Sequence, residues 1–293
     1  MLRNTRRKAR PRGRAFFVSA ILLTVLTACE TVTGLVGERR DVADRIASSA
    51  RMEKFFVDTG QFELVGYRRF TNRGNPVVAI YIEGDGLAFL NETTISSDPT
   101  PRDPVSLRLA ARDPSANVAY LGRPCQYQSK ERLSRCSYAY WTNGRFAPEV
   151  IKEMNTAVDS IVRASGARQV RLYGYSGGGA VAALIAARRS DVTFLATAAS
   201  PLDHGTWTHM KRFSPLDRSL DAIDEVARLA RIPQVHFAGA GDTVVPFAVI
   251  KRFATQVRAQ GGRAEIVTVP DTDHWCCWQD EWPTLYRKWL QKP

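Results

Sequence analysis

The chain has 293 residues, a formal net charge of +12 at pH 7, 44% hydrophobic residues and five cysteines. That length suits one large domain with a well-buried core, and the apolar content is ordinary for a globular protein. The charge does not argue for nucleic acid as a partner. Seven of the cations precede Ala15, the remainder carries +5, and no basic stripe with interleaved aromatics is present.

The first fourteen residues hold those seven Lys and Arg and no acid. A mostly apolar run, Ala15 to Ala28, follows and ends Leu26-Thr27-Ala28-Cys29. A basic start, a short apolar stretch and small residues before a cut describe a secretory signal over residues 1–28. The run is too short for a comfortable transmembrane helix. Cys29 directly after Leu-Thr-Ala resembles the bacterial lipobox. That resemblance implies lipidation of Cys29, a membrane partner through the lipid, and a place in the bacterial cell envelope. Glu30 in the next position, rather than Asp, implies the outer membrane, facing the periplasm. Residues 29–55 are then expected to be a tether with a short helix.

Phe62 to Phe70 and Val77 to Ile82 read as neighbouring strands joined by a hairpin-like turn at Asn72 to Pro76. Glu83-Gly84-Asp85-Gly86 closes the second of them. Asp98 to Arg112 carries three prolines and predicts a loop with a helical piece, Val105 to Ala111. Asn117 to Leu121 is another strand. Beyond it, Cys125 and Cys136 bracket a polar segment and are expected to pair, stapling the loop. Cys276 and Cys277 are adjacent. A vicinal bond and cross-pairing with Cys125 and Cys136 both remain open, because four cysteines allow three connectivities. Pro148 to Ala164 predicts a helix, with Val150, Ile151, Met154, Ala157, Val158 and Ile161 at helical spacing. This alternation argues for an α/β fold, a mostly parallel central sheet with helices on both faces.

The chemistry-bearing residues follow. Gln169 to Tyr173 is strand-like, Ala180 to Arg189 is helical, and Gly174-Tyr175-Ser176-Gly177-Gly178-Gly179 joins them. Gly-x-Ser-x-Gly between strand and helix is the pattern of a nucleophile elbow, whose sharp turn exposes the serine hydroxyl. Pro233 to Gly239 is a further strand, and Ala240-Gly241-Asp242 puts a carboxylate at its C-terminal end. Arg263 to Val269 is β-rich and leads to Asp271-Thr272-Asp273-His274, before a final amphipathic helix, Asp280 to Leu290. A serine needs a base to become nucleophilic at neutral pH. A histidine can take that proton and return it, and a buried carboxylate fixes its tautomer. Asp203, after the strand Val192 to Ala199, is the rival acid. His236 lies within a strand and reads as a packed residue.

The order Ser176, Asp242, His274 resembles that of α/β-hydrolases, and the resemblance runs from the elbow to the C-terminus and more loosely back to residue 56. It implies a domain over 56–293 and a serine hydrolase cleaving an ester or thioester through an acyl-Ser176 intermediate. His274 would be the general base and Asp242 its orienting acid. It places the oxyanion donors at the backbone N–H groups of Gly177 and Asp85. The family often has His-Gly at that turn, where this chain has Glu83-Gly84. Two carboxylates beside an oxyanion are unfavourable unless turned away or paired, and Arg123 on the neighbouring loop is in place to reach Glu83 or Asp85. The acidic turn leaves a second reading open, an inactive lipid-anchored envelope binding protein on the same fold. Residues 200–231 leave the strand–helix rhythm, suit a loop, and read as a cap or pocket-lining insertion. The implied substrate is a small-molecule or lipid-like ester. No cofactor is expected, and no metal, since His274 with two adjacent cysteines is too compressed for tetrahedral ligation.

Overall fold

The structure is a computed structural model and describes residues 38–291. Cys29 and the segment 1–28 lie outside the described residues. Eight strands form one sheet: β1 Glu53–Asp58, β2 Glu63–Phe70, β3 Val77–Ile82, β4 Asn117–Leu121, β5 Gln169–Tyr175, β6 Val192–Ala198, β7 Gln234–Gly239 and β8 Ala264–Val269. Their order is β1-β2-β4-β3-β5-β6-β7-β8. β3 to β8 run parallel, whereas β1 and β2 are antiparallel to their neighbours at one edge. β2 and β3 are therefore not the expected hairpin. β4 lies between them, because β3 needs parallel partners on both sides and a tight turn supplies only an antiparallel one.

The helices are α1 (residues 38–49), α2 Val105–Arg112, α3 Lys130–Leu133, α4 Pro148–Ser165, α5 Gly177–Ala186, α6 His204–Lys211, α7 Val226–Leu229, α8 Phe247–Ala259 and α9 Trp278–Leu285. Period-two alternation along the strands divides the core into two layers. Val78, Ile80 and Ile82 of β3 pack with α4, α5 and α8. Ala79 and Tyr81 of the same strand face the layer that holds α2, α9 and α1. α4 starts with proline in its first turn and ends at Gly166 in the left-handed region, φ 74°. Every residue of α5 is buried, as its three glycines followed by an unbroken Ala, Val, Leu and Ile run require.

Two expectations about boundaries change. The tether is shorter than residues 29–55, because Ala43 and Ala47 of α1 and Met52 are buried in the core and β1 starts at Glu53. The segment opening at Ser200 is not simply a loop, since His204–Lys211 is helical. Asp203 caps it by accepting hydrogen bonds from the Thr206 N–H and hydroxyl, both at 2.8 Å. Trp207 then fixes it by donating to the Val244 carbonyl at 2.8 Å.

The four cysteines pair as Cys125–Cys136 and Cys276–Cys277. Past the second pair, α9 lies on the sheet. Trp282 donates to the Tyr81 hydroxyl at 3.3 Å, and Tyr81 donates to Asp113 at 2.7 Å.

Candidate active site

Parallel strands put all their C-terminal ends at one edge of the sheet, and the site residues lie on the loops there. β5 ends at Tyr175, and Ser176 follows at φ 50°, ψ −130°. A non-glycine residue rarely adopts that conformation. It is held here because the Ser176 N–H donates to Ala198 O on β6 at 2.8 Å while the chain reverses at once into α5. The reversal needs glycine at position 178: a Cβ there would lie 2.2 Å from the Ile82 carbonyl of β3.

Ser176 Oγ is 3.2 Å from His274 Nε2. His274 Nδ1 is 3.0 Å from Asp242 Oδ2. A carboxylate only accepts, so Nδ1 carries the proton and the Nε2 lone pair of the neutral ring faces the serine hydroxyl. The other Asp242 oxygen accepts from the Val244 and Val245 N–H groups at 2.8 and 2.9 Å. The Asp242 and His274 side chains are only 2% and 4% exposed, which strengthens their interaction. The His274 carbonyl accepts from the Tyr175 hydroxyl at 2.5 Å and from Trp278 Nε1 at 3.2 Å. The residue before the serine thus holds the loop that presents the histidine.

Asp203, the rival acid, is elsewhere. It caps α6 and pairs with Arg252 at 2.5 Å. His236 is fully buried, bonded to Thr197 at 2.9 Å, and burial lowers its pKa to about 3. It is a neutral packing residue. His204, at the start of α6, has Asp221 at 3.5 Å.

The turn after β3 abuts the elbow. The N–H groups of Asp85 and Gly177 have no acceptor among the described residues. The Asp85 carboxylate lies over Gly177, where a Cβ would come within 2.1 Å of Oδ1. Two guanidinium groups hold it. Arg123 Nη1 is 3.3 Å from Oδ1, and Arg145 Nη1 is 2.6 Å from Oδ2. Arg123 also donates to the Arg145 carbonyl. Burial alone would raise the Asp85 pKa, but the charges of Arg145 and Arg123 outweigh it and hold the carboxyl below its usual range. Gln126 ties the two loops together, donating to Gly84 O at 3.0 Å and accepting from the Arg123 N–H at 2.9 Å.

Glu83 behaves differently. Its side chain is buried among the strand ends and accepts from the Gly84 and Ser106 N–H groups at 2.9 and 3.4 Å. Its other oxygen has no partner among the described residues. Burial raises its pKa to about 7, against the lowering effect of those bonds. Arg145 and Gln126 were not singled out in the sequence. Arg145 lies 60 positions from Asp85, and no local pattern marks either residue.

An open cleft lined by Asp58, Gln61, Arg132, Arg135 and Tyr140 lies beside the Cys125–Cys136 bond. It includes none of Ser176, Asp242 and His274.

No protein-family model matches the chain, and no curated protein matches its sequence. Solved structures do resemble it. Est1E from Butyrivibrio proteoclasticus aligns with a TM-score of 0.56 at 14% identity, covering 81% of this chain and 98% of that one. The Pyrococcus furiosus esterase PF2001 aligns at 0.55 and 13% identity, covering 82% and 91%. An alpha-beta serine hydrolase homologue from Coxiella burnetii aligns at 0.50 and 16%, covering 80% and 94%. With six parallel strands, helices on both faces and this likeness, the chain has the α/β-hydrolase fold.

Proposed function

We propose that the protein is a serine hydrolase that cleaves an ester or thioester. The observation that carries this is the unbroken contact from Ser176 Oγ through His274 to Asp242, on a serine at φ 50°. In this reading Nε2 of His274 takes the hydroxyl proton as Oγ attacks the carbonyl carbon. The tetrahedral oxyanion is held by the N–H groups of Gly177 and Asp85. Its collapse expels the alcohol or thiol, which receives the proton from His274. Water then attacks the acyl-Ser176 ester with the same base, releases the acid and restores the serine.

The acidic turn no longer favours the inactive binding protein. The Asp85 carboxylate is paired to two cations, and Glu83 is bonded to other backbone N–H groups. Neither carboxylate accepts a hydrogen bond from the Gly177 or Asp85 N–H. The solved neighbours include one described as an esterase, which supports ester chemistry. The same reading keeps the lipid anchor at Cys29 and an outer-membrane place facing the periplasm.

The test is covalent labelling by a fluorophosphonate together with turnover of a short-chain ester. The wild type should be labelled at Ser176. The variant Ser176→Ala should take no label and lose activity by a factor on the order of 10³ or more while keeping its fold. Near-normal turnover in the purified variant would sink the proposal.

A further inference from the structure

We propose that the sheet edge bearing Ser176 docks on a lipid bilayer and that the site takes its ester from that surface. The substrate half rests on the hydrolase reading above; the docking half rests on the lipid proposed at Cys29 and not on the hydrolase chemistry.

The first observation is where the exposed apolar side chains lie. Nine large hydrophobic residues are exposed among those described: Phe56, Phe89, Leu90, Ile95, Tyr138, Met210, Phe213, Phe247 and Trp275. Phe56 is on β1 at the far edge of the sheet. Each of the other eight follows the C-terminal end of a parallel strand. Phe89, Leu90 and Ile95 come after β3, and Tyr138 after β4. Met210 and Phe213 come after β6, Phe247 after β7 and Trp275 after β8. Scattered single apolar side chains are normal on a surface. Their concentration on one edge, around one site, marks an interaction face.

The loops are tied so that these side chains stay at that edge. Trp141, packed on Tyr138 at 5.1 Å, donates to Ser96 O at 3.1 Å and so joins the loop after β4 to the loop after β3. The C-terminal end of α6 is held to the loop after β7 by Lys211 Nζ on Thr243 O at 2.8 Å. Trp275 stacks edge-on against His274 at 4.8 Å and is 66% exposed. Tryptophan and tyrosine at a rim are the side chains that settle at a membrane–water interface.

The second observation selects a bilayer over other occupants. The described chain starts beside this same face. Arg39 donates to Thr100 O at 2.7 Å and pairs with Asp98 at 3.3 Å. Both belong to the loop that carries Phe89, Leu90 and Ile95. Before it stand an apolar run, Ala15 to Ala28, and Cys29. Nine residues lie between Cys29 and Arg39, a separation of at most about 35 Å for a fully extended chain. A lipid on Cys29 therefore holds the rim close to the bilayer, where its apolar side chains are buried favourably in the headgroup boundary.

The test uses the full chain carrying Ser176→Ala, so that hydrolysis plays no part, with phosphatidylcholine vesicles. Amide hydrogen exchange is followed with and without vesicles. Exchange in 87–96 and 208–214 should slow by about fivefold or more on vesicles, with 53–58 around Phe56 unchanged. Unchanged rim exchange on protein that the vesicles have captured through residues before Glu38 would overturn docking. So would slowing that grows with protein concentration in the absence of vesicles, which assigns the rim to a second copy.

A second arm reads the substrate. The double variant Leu90→Asp/Ile95→Asp, with Ser176 intact, should turn over a vesicle-dispersed ester roughly tenfold more slowly, since each added charge resists the apolar boundary. Its turnover of a water-soluble short-chain ester should match the wild type, and Phe56→Asp should change neither. Equal loss on both esters, or on neither, would overturn surface uptake. If the wild type hydrolyses no ester, the hydrolase reading fails, and the exchange measurement still decides docking.

Discussion

Two aspartates compete for the role of acid, and single atoms separate them. Asp242 gives one oxygen to His274 Nδ1 and the other to two backbone N–H groups. Asp203 spends its oxygens on the α6 cap and Arg252. Asp242→Asn offers an amide where an acceptor is needed and favours the wrong imidazole tautomer. It should cut turnover by a factor on the order of 10² to 10⁴. Asp203→Asn should leave turnover within a few-fold, keep the cap, since asparagine caps as well as aspartate, and lower stability by at most about 1 kcal/mol through the lost pair with the half-exposed Arg252. Turnover assays and thermal melts on both variants check this, and the reverse ranking would move the acid to Asp203. Glu83 gives a pH signature. Its pKa is raised in the folded protein to about 7. Between its unfolded value and 7 the folded state therefore binds more protons than the unfolded one, so stability falls as pH rises through that window. The fully developed effect is roughly 3 kcal/mol above pH 7. Glu83→Gln should flatten this alkaline decline, measured by denaturant unfolding from pH 5 to 8. A decline as steep as that of the wild type would remove Glu83 as its source.

At the scale of elements, the proposed oxyanion turn is braced from both ends of one long connection. Arg123 comes from the loop after β4, and Arg145 from the end of the same long connection. Each is a positioning residue acting through Asp85. Arg145→Ala or Arg123→Ala should lower kcat by roughly tenfold with a smaller change in KM, since the loss falls on transition-state charge. The double variant should lose more than the product of the singles, because each arginine still braces the turn when the other is removed. Steady-state kinetics on the three variants decides it, and a change confined to KM would place the pair in substrate binding instead. The elements of the elbow were legible in the sequence because each is local: a five-residue strand-like run, a glycine turn and an alanine-rich helix follow one another. The β2–β4 pairing was not legible, since Phe70 meets Asn117 across a long connection that leaves no local mark. Helix α6 was hidden by its turn-forming composition. An aspartate cap and the Trp207 anchor on Val244 override those propensities. The packing of α1 was missed because only two small residues, Ala43 and Ala47, carry it into the core.

For the molecule as a whole, the proposed lipid at Cys29 predicts that Cys29→Ser will no longer incorporate labelled fatty acid. The wild type should fractionate with the outer membrane. Recovery with the inner membrane would count against the sorting inferred from Glu30, and label on the variant would count against Cys29 as the acceptor. The arrangement at the other end of the chain has a consequence for biosynthesis. His274 comes after all eight strands, and its loop is fastened from behind by Trp278 and from below by Tyr175. A ribosome therefore delivers the nucleophile almost a hundred positions before the base. A nascent chain interrupted between Val269 and His274 carries the elbow and all eight strands but lacks the proposed base for Ser176. Under the proposed function, the site is completed only by the segment that emerges after the whole sheet, so its chemistry is withheld until translation is nearly finished.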